Sequence, residues 1–144
     1  MVTKVKANKI MAINGIATTI EQSKKLIELG INIDTADMTW EKVAKSLTED
    51  FYWKLTVGLD SAIKGNLFSY RNGHVTPAWS LSALIELMPI KIRNSKQFTL
   101  YKGESGYSLT YFFHDEDYPI IKDDVTLLDT AFEMVCYLLE NKLI

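Results

Sequence analysis

In "TTIEQSKKLIELG", residues 18–30, Ile20, Lys24 and Ile27 share one helix face, and Leu26 and Leu29 are also at helical spacing. Thr18 and Glu21 have the separation of a capping box, in which each side chain satisfies an amide of the first turn. We expect Gly30 to end the helix, because glycine accepts the left-handed conformation of a helix terminus. The first clear element is therefore a capped amphipathic helix.

The following segments predict one more helix and then a sheet. "WEKVAKSL", residues 40–47, has helical spacing and a cap residue, Thr39, before it. "FYWKLTV", residues 51–57, and "NLFSYR", residues 66–71, are rich in aromatic and β-branched residues and predict strands. Asn72-Gly73 follows as a tight turn signal, and "HVTPAW" predicts a short returning strand. Pro77 restricts that strand to a short stretch or a sheet edge, because proline donates no backbone hydrogen bond.

The stretch "PAWSLSALIELMP", residues 77–89, predicts a short helix between two prolines. Ser80 is a good N-cap, and Pro89 ends the helix. Its apolar stripe is formed by Leu81, Leu84, Ile85 and Met88. We expect Leu84 and Ile85 to be buried and Trp79 to line a cleft and stay partly exposed.

The last third predicts a hairpin and a long helix. "KQFTLYK", residues 96–102, and "YSLTYFF", residues 107–113, flank the turn "GESG", and "HDEDYP" is expected to end the sheet. Thr126 and Asp129 have the spacing of a helix cap before a broad apolar face. The order of elements predicts a single α+β domain over residues 1–144, with a mostly antiparallel sheet covered by helices on one face.

Composition supports a globular chain of one domain. The 144 residues are 47% hydrophobic and 24% charged, with a formal net charge of −2. The charge is uneven, since residues 115–144 carry eight acidic residues and two lysines, which suggests an acidic surface for a basic partner or a cation. Cys136 is the only cysteine, so we expect it to be a buried thiol in a reducing compartment. The apolar run near the N-terminus is too short for a signal peptide, and no stretch is long enough to span a bilayer, so we expect a cytoplasmic protein without membrane contact.

Catalytic motifs are mostly absent from the sequence. There is no G-x-S-x-G, no glycine-rich phosphate loop, no H-E-x-x-H and no C-x-x-C. The alternative of a divalent-metal enzyme rests on "HDED", in which His114, Asp115 and Asp117 supply ligand types that suit Mg²⁺, Mn²⁺ or Zn²⁺. A second alternative, a weak nucleic-acid-binding module, rests on the basic and aromatic residues of 91–102. Lysines beside an exposed strand also serve to prevent aggregation, and this argues against nucleic acid.

Aromatic residues are numerous, with three Trp, seven Tyr and six Phe. Aromatic side chains beyond the needs of the core are common anchors of interfaces. The leading hypothesis is therefore a non-catalytic protein without a cofactor that binds a protein or a small molecule, and a homo-oligomer stays open. The candidate contact residues are Trp40, Trp53, Trp79, Tyr101 and Tyr111.

Three blocks of the sequence carry a resemblance. "TIEQSKKLIELGINIDTADMTW", "TPAWSLSALIELMP" and "DTAFEMVCYLLENKLI" resemble a group of small uncharacterised proteins carried by phages and mobile elements of gut anaerobic bacteria. The group has no established activity or catalytic residue. The resemblance therefore implies only a setting, that of an accessory protein whose partner comes from the host or the phage.

Overall fold

A computed structural model describes residues 15–45, 50–114 and 118–144. The chain divides into two compact units between Ser80 and Leu81. The first unit contains a three-stranded antiparallel sheet, and the second contains another. The sequence-based expectation of a single domain over residues 1–144 stays a prediction.

The first unit begins with helix α1, Ile20–Glu28. Its capping box is formed by Thr19 and Gln22, one residue later than the predicted pair. Gly30 adopts a φ of 91°, and the amide of Ile31 donates to the carbonyl of Leu26 at 3.1 Å. The predicted helix and its glycine terminus are therefore confirmed, with the cap shifted by one position.

The rest of this unit consists of short elements around one sheet. The elements in chain order are a 3₁₀ turn Ile33–Thr35, β1 Met38–Ala44, β2 Phe51–Val57, α2 Ser61–Lys64, α3 Phe68–Arg71 and β3 Val75–Ala78. The sheet has the order β2-β1-β3, and both pairings are antiparallel.

The prediction of a helix over residues 40–47 is wrong, because residues 40–44 belong to β1. Apolar Trp40 and Val43 are three apart, which fits a helix, but the same segment also alternates between the two faces of a strand. β1 is the central strand and pairs with β2 on one side and β3 on the other. Pairing on both sides outweighs the weak local preference for a helix.

The prediction of a strand over residues 66–71 is also wrong. Asn66 has a φ of 51°, and residues 68–71 form the single turn of α3. Tyr70, one of the aromatic residues that favoured a strand, instead packs beside the apolar cluster around Ile63. The returning strand is confirmed as β3, which contains Pro77, is four residues long and lies at the edge of the described sheet.

Both faces of the first sheet carry apolar packing. Trp40, Ala78 and Ile20 form a buried cluster on the face covered by α1. Val75 points to the opposite face, where Ala62 and Ile63 of α2 pack against it. Helices therefore cover both faces of the sheet at β1 and β3, whereas no residue of β2 is buried.

The described residues of the second unit form two helices and a three-stranded sheet. The elements are α4 Leu81–Leu87, β4 Thr99–Lys102, β5 Tyr107–Tyr111, β6 Ile120–Asp124 and α5 Leu127–Glu140. The sheet has the order β4-β5-β6 with antiparallel pairings, and the long helix α5 packs on β5, β6 and α4.

Several local predictions hold in this unit. The amide of Asp129 donates to Thr126 Oγ1 at 3.1 Å, which confirms the cap of α5. Leu84 is fully buried as expected, whereas Ile85 is only partly buried. Cys136 is buried, as predicted for a small apolar side chain.

The expectation that "HDEDYP" ends the sheet is wrong, because β6 follows it. Lys122, Asp123 and Asp124 make this strand too polar to be recognised by alternation. At the sheet edge, charged side chains are tolerated and prevent further pairing. With this addition, the predicted α+β class with antiparallel pairing is confirmed.

Candidate functional site

Two of the five candidate contact residues are fully buried tryptophans. The indole nitrogen of Trp40 donates to the carbonyl of Thr18 at 2.8 Å. The indole nitrogen of Trp79 donates to Thr35 Oγ1 at 2.9 Å. The expectation that Trp79 stays partly exposed in a cleft is wrong, because its ring is enclosed and its polar atom is satisfied within the first unit.

The other three candidates have different surroundings. Trp53 is partly buried against the cluster around Trp40 and meets the Phe51 ring edge-on at 6.3 Å. Tyr111 is fully buried, its hydroxyl donates to the carbonyl of Pro89 at 2.6 Å, and burial raises the pKa of its phenol to about 12. Tyr101 is 50% exposed, so its side chain is available to a partner.

The candidate metal ligands are only partly described. His114 is exposed at the end of the segment that follows β5. Asp115 and Asp117 lie outside the described residues, so the predicted metal cluster stays a prediction. Elsewhere in the described ranges, no group of three His, Cys, Asp or Glu side chains is placed to hold a metal ion.

A groove of about 580 Å³ wraps the hairpin end of the second sheet. We call it the tyrosine–aspartate groove. Its lining residues are Tyr101, Lys102, Gly103, Ser105, Gly106, Tyr107, Ser108, Asp123, Asp124 and Val125.

The strand register explains why these side chains meet. Tyr101, Ser108 and Asp123 are direct cross-strand partners, so they form one row on the same face. Neighbouring strands are about 4.8 Å apart, so Tyr101 and Asp123 stand roughly 10 Å apart with the small Ser108 between them. The row therefore has an aromatic wall, a small polar floor and an acidic wall.

Gly106 allows β6 to approach the hairpin turn closely. A Cβ at this position would clash with the carbonyl oxygen of Asp124. The turn is closed by a hydrogen bond of 2.8 Å from the Gly103 amide to the Gly106 carbonyl. The close approach of Gly106 to the backbone of Asp124 sets the shape of the groove where the turn meets the end of β6.

A pair of hydrogen-bonded carboxyl groups adjoins the groove. Burial raises the pKa of Glu133 on α5 to about 7, and the hydrogen bond to Asp124 and the negative charges of Asp124 and Asp123 add to this rise. Lys122 acts in the opposite direction. The hydrogen bond from Glu133, followed by that from the Val125 amide, lowers the pKa of Asp124.

The two shifts describe one arrangement. The proton resides on Glu133 and is donated to the ionised Asp124, because two close carboxylates repel each other. A cation brought to this end of the sheet would relieve that repulsion and favour ionisation of Glu133. The arrangement can therefore bind positive charge and couple binding to proton release.

A second groove of about 520 Å³ lies along the segment before β4. We call it the lysine–histidine groove. It is lined by Lys91, Lys96, Gln97, Phe98, Thr99 and His114.

This second groove contains only part of the predicted basic stretch 91–102. Lys91, Lys96 and Phe98 line it, whereas Tyr101 and Lys102 line the tyrosine–aspartate groove. Arg93 is not among the lining residues of either groove. The nucleic-acid hypothesis for residues 91–102 stays a prediction.

Glu133 and β6 are the main features that the sequence reasoning missed. Glu133 lies in the long helix, where its neighbours predicted only an apolar face. The available signal was the excess of acidic residues in 115–144, which pointed to an acidic surface without identifying its members.

None of the helices in residues 15–45, 50–114 and 118–144 is long and apolar enough to span a membrane. No protein-family model, curated protein or solved structure matches the chain.

Proposed function

We propose that this chain is a non-catalytic accessory protein that binds a partner protein. The tyrosine–aspartate groove receives a lysine- or arginine-bearing segment of that partner. The observation that carries the proposal is the row in which half-exposed Tyr101 and exposed Asp123 face each other across Ser108.

The side of the groove formed by Tyr101 favours a cationic ligand. Cations bind the faces of tyrosine rings within about 6 Å of the ring centre. The chain already shows this preference, since Lys102 Nζ lies 5.9 Å from the Tyr107 ring centre and Lys122 Nζ lies 4.7 Å from that of Tyr137. Tyr101 offers a comparable ring to a side chain from outside.

The acidic side of the groove also favours a cationic ligand. Asp123 and Asp124 line the groove, and Glu133 is hydrogen-bonded to Asp124. Among the described residues that line the groove, two are acidic, Asp123 and Asp124, and one is basic, Lys102. Charge complementarity of this kind raises association rates and selects the sign of the partner.

The setting of this function rests on the resemblance of three sequence blocks. From it we infer an accessory protein that acts inside a bacterial cell carrying a phage or mobile element, with a host or phage protein as the partner. The non-catalytic reading rests on the lack of recognised catalytic motifs in the sequence.

The proposal is tested with a short labelled peptide that alternates lysine and glycine, compared with its glutamate counterpart by fluorescence anisotropy. We expect the lysine peptide to bind, and Tyr101→Ala combined with Asp123→Asn to weaken binding at least about tenfold, which corresponds to about 1.4 kcal/mol.

Glu104→Gln is the matched control. Glu104 is exposed in the same hairpin turn but does not line the groove. An equal loss of binding in this control would show a general charge effect and contradict the proposal. Equal binding of the lysine and glutamate peptides would do the same.

A further inference from the structure

We infer that the lysine–histidine groove is a separate site for a small phosphate ester of mononucleotide size. This site lies outside the tyrosine–aspartate groove and does not depend on the function proposed for it. The two grooves share none of their lining residues.

The first argument is the set of polar groups in this groove. Lys91 and Lys96 are exposed lysines whose ammonium groups donate to phosphate oxygens as compact charges. His114, Gln97 and Thr99 add further hydrogen-bonding groups. Among the described residues, no carboxylate lines this groove, and Asp115, Glu116 and Asp117, which follow His114 in the chain, lie outside the described residues.

The second argument is that the backbone holds these residues in place. The amide of Lys96 donates to the carbonyl of Phe112 at 2.7 Å, and the neighbouring Ser95 forms a bridge with Phe113. Ser95 is buried, and its hydroxyl accepts from the amide of Ile92 at 2.7 Å. A site positioned before the ligand arrives loses less entropy on binding.

The third argument is the presence of an aromatic residue, Phe98, in the lining of this groove. Phe98 is partly buried and packs against Tyr111 with ring centres 5.8 Å apart. Its amide donates to the carbonyl of Ile90 at 3.1 Å, which fixes the start of β4. A ring held in this way offers a surface for a planar group attached to the phosphate.

The size and charge favour a small ligand over a nucleic acid. A groove of about 520 Å³ falls in the ordinary range for small-molecule sites. Binding of a long polyanion gains most from many phosphate contacts, but the whole chain has a net charge of −2, and of the basic residues in 91–102 this groove includes two, Lys91 and Lys96.

The test is calorimetric titration of the full chain with adenosine monophosphate, inorganic phosphate, adenosine and a short oligothymidylate. We expect adenosine monophosphate to bind, and adenosine to bind at least about tenfold more weakly because it lacks the phosphate. Inorganic phosphate shows how much of the affinity comes from the phosphate alone. Tighter binding of the oligothymidylate than of adenosine monophosphate would overturn the assignment to a small ligand.

The variant Lys91→Gln with Lys96→Gln is compared with Lys54→Gln with Lys64→Gln, which removes the same charge from exposed lysines outside the groove. We expect only the first variant to weaken binding of adenosine monophosphate, by about tenfold or more, and to reduce its dependence on salt. Both variants should keep the unfolding temperature of the native chain, because all four lysines are exposed. Equal weakening by both variants, or no binding of adenosine monophosphate to the native chain, would overturn the proposal.

Discussion

Trp79 shows how a single side chain is committed to structure when it is enclosed on all sides. Its backbone amide donates to Thr18 Oγ1 at 3.0 Å, and its carbonyl accepts from the Thr18 amide at 2.9 Å. The indole nitrogen adds its own hydrogen bond to Thr35. Both the ring and the backbone of Trp79 therefore stabilise the first unit. The ring is not part of an exposed binding surface.

Replacement of Trp79 should cost stability comparable to that of an aliphatic core residue. We expect Trp79→Ala to lower the free energy of unfolding by about 3–5 kcal/mol and Leu84→Ala by about 2–5 kcal/mol, because each removes a fully buried side chain. Urea denaturation followed by circular dichroism measures both.

Tyr101→Ala is the exposed control, and we expect a change of no more than about 0.5 kcal/mol. Trp79→Phe, which keeps a ring but removes the donor to Thr35, should cost less than Trp79→Ala. An unchanged unfolding free energy for Trp79→Ala would contradict the enclosed position of this residue.

The hairpin of β4 and β5 illustrates how one element shapes the candidate site. Its register sets Tyr101 opposite Ser108, and the addition of β6 brings Asp123 into the same row. The close approach of β6 depends on Gly106, whose missing Cβ leaves room for the backbone of Asp124.

Gly106→Ala should therefore disturb both the hairpin and the groove. The new methyl group would contact backbone atoms that cannot move without shifting β6, so we expect a loss of stability of about 1–3 kcal/mol or more. Thermal or urea denaturation gives the size of the loss.

Gly103→Ala serves as the comparison in the same turn. The nearest heavy atom to a Cβ at Gly103 would be 3.8 Å away, which is an ordinary contact. We expect this variant to remain close to the native stability. If Gly103→Ala were the more damaging of the two, the close contact assigned to Gly106 would be wrong.

At the scale of the whole molecule, charge is distributed unevenly although the net value is only −2. In the second unit, the carboxyl groups of Asp123, Asp124 and Glu133 lie close enough to shift the pKa of Glu133. Folding brings these charges together, so the stability of the molecule should depend on pH through them.

The sign follows from the direction of the shift. Since the folded pKa of Glu133 is raised from 4.5 to about 7, its protonated form stabilises the fold fully below pH 4.5, and this contribution is lost as the pH rises through about 7. The lowered pKa of Asp124 acts oppositely, with a contribution present above its ordinary value of 3.8 and lost as the pH falls below it. Between pH 4.5 and neutral pH, the ionisation of Glu133 dominates the change of the unfolding free energy with pH.

Glu133→Gln should flatten the decline in unfolding free energy between pH 4.5 and about 7, because the amide still donates to Asp124 but does not ionise. Urea denaturation at several pH values across this window measures the profile. Glu104→Gln, at an exposed position in the hairpin turn, should keep the native slope. Parallel profiles for the native chain and Glu133→Gln would contradict the assigned proton.

Local patterns were sufficient for several features that depend on residues close together in the chain. The cap of α5 at Thr126, the glycine terminus of α1 at Gly30 and the hairpin of β4 and β5 were all predicted from short-range spacing. Each depends on hydrogen bonds or backbone angles within a few residues, so the sequence alone determines them.

Tertiary structure decided the features that depend on distant partners. Residues 40–44 form a strand because β2 and β3 pair with them, and β6 is a strand because it pairs with β5 at the edge of the sheet. Glu133 and Asp124 come together only because α5 packs on β6. Such pairings arise from contacts between segments that are far apart in the chain. The local periodicity of one segment does not show which other segment will pair with it.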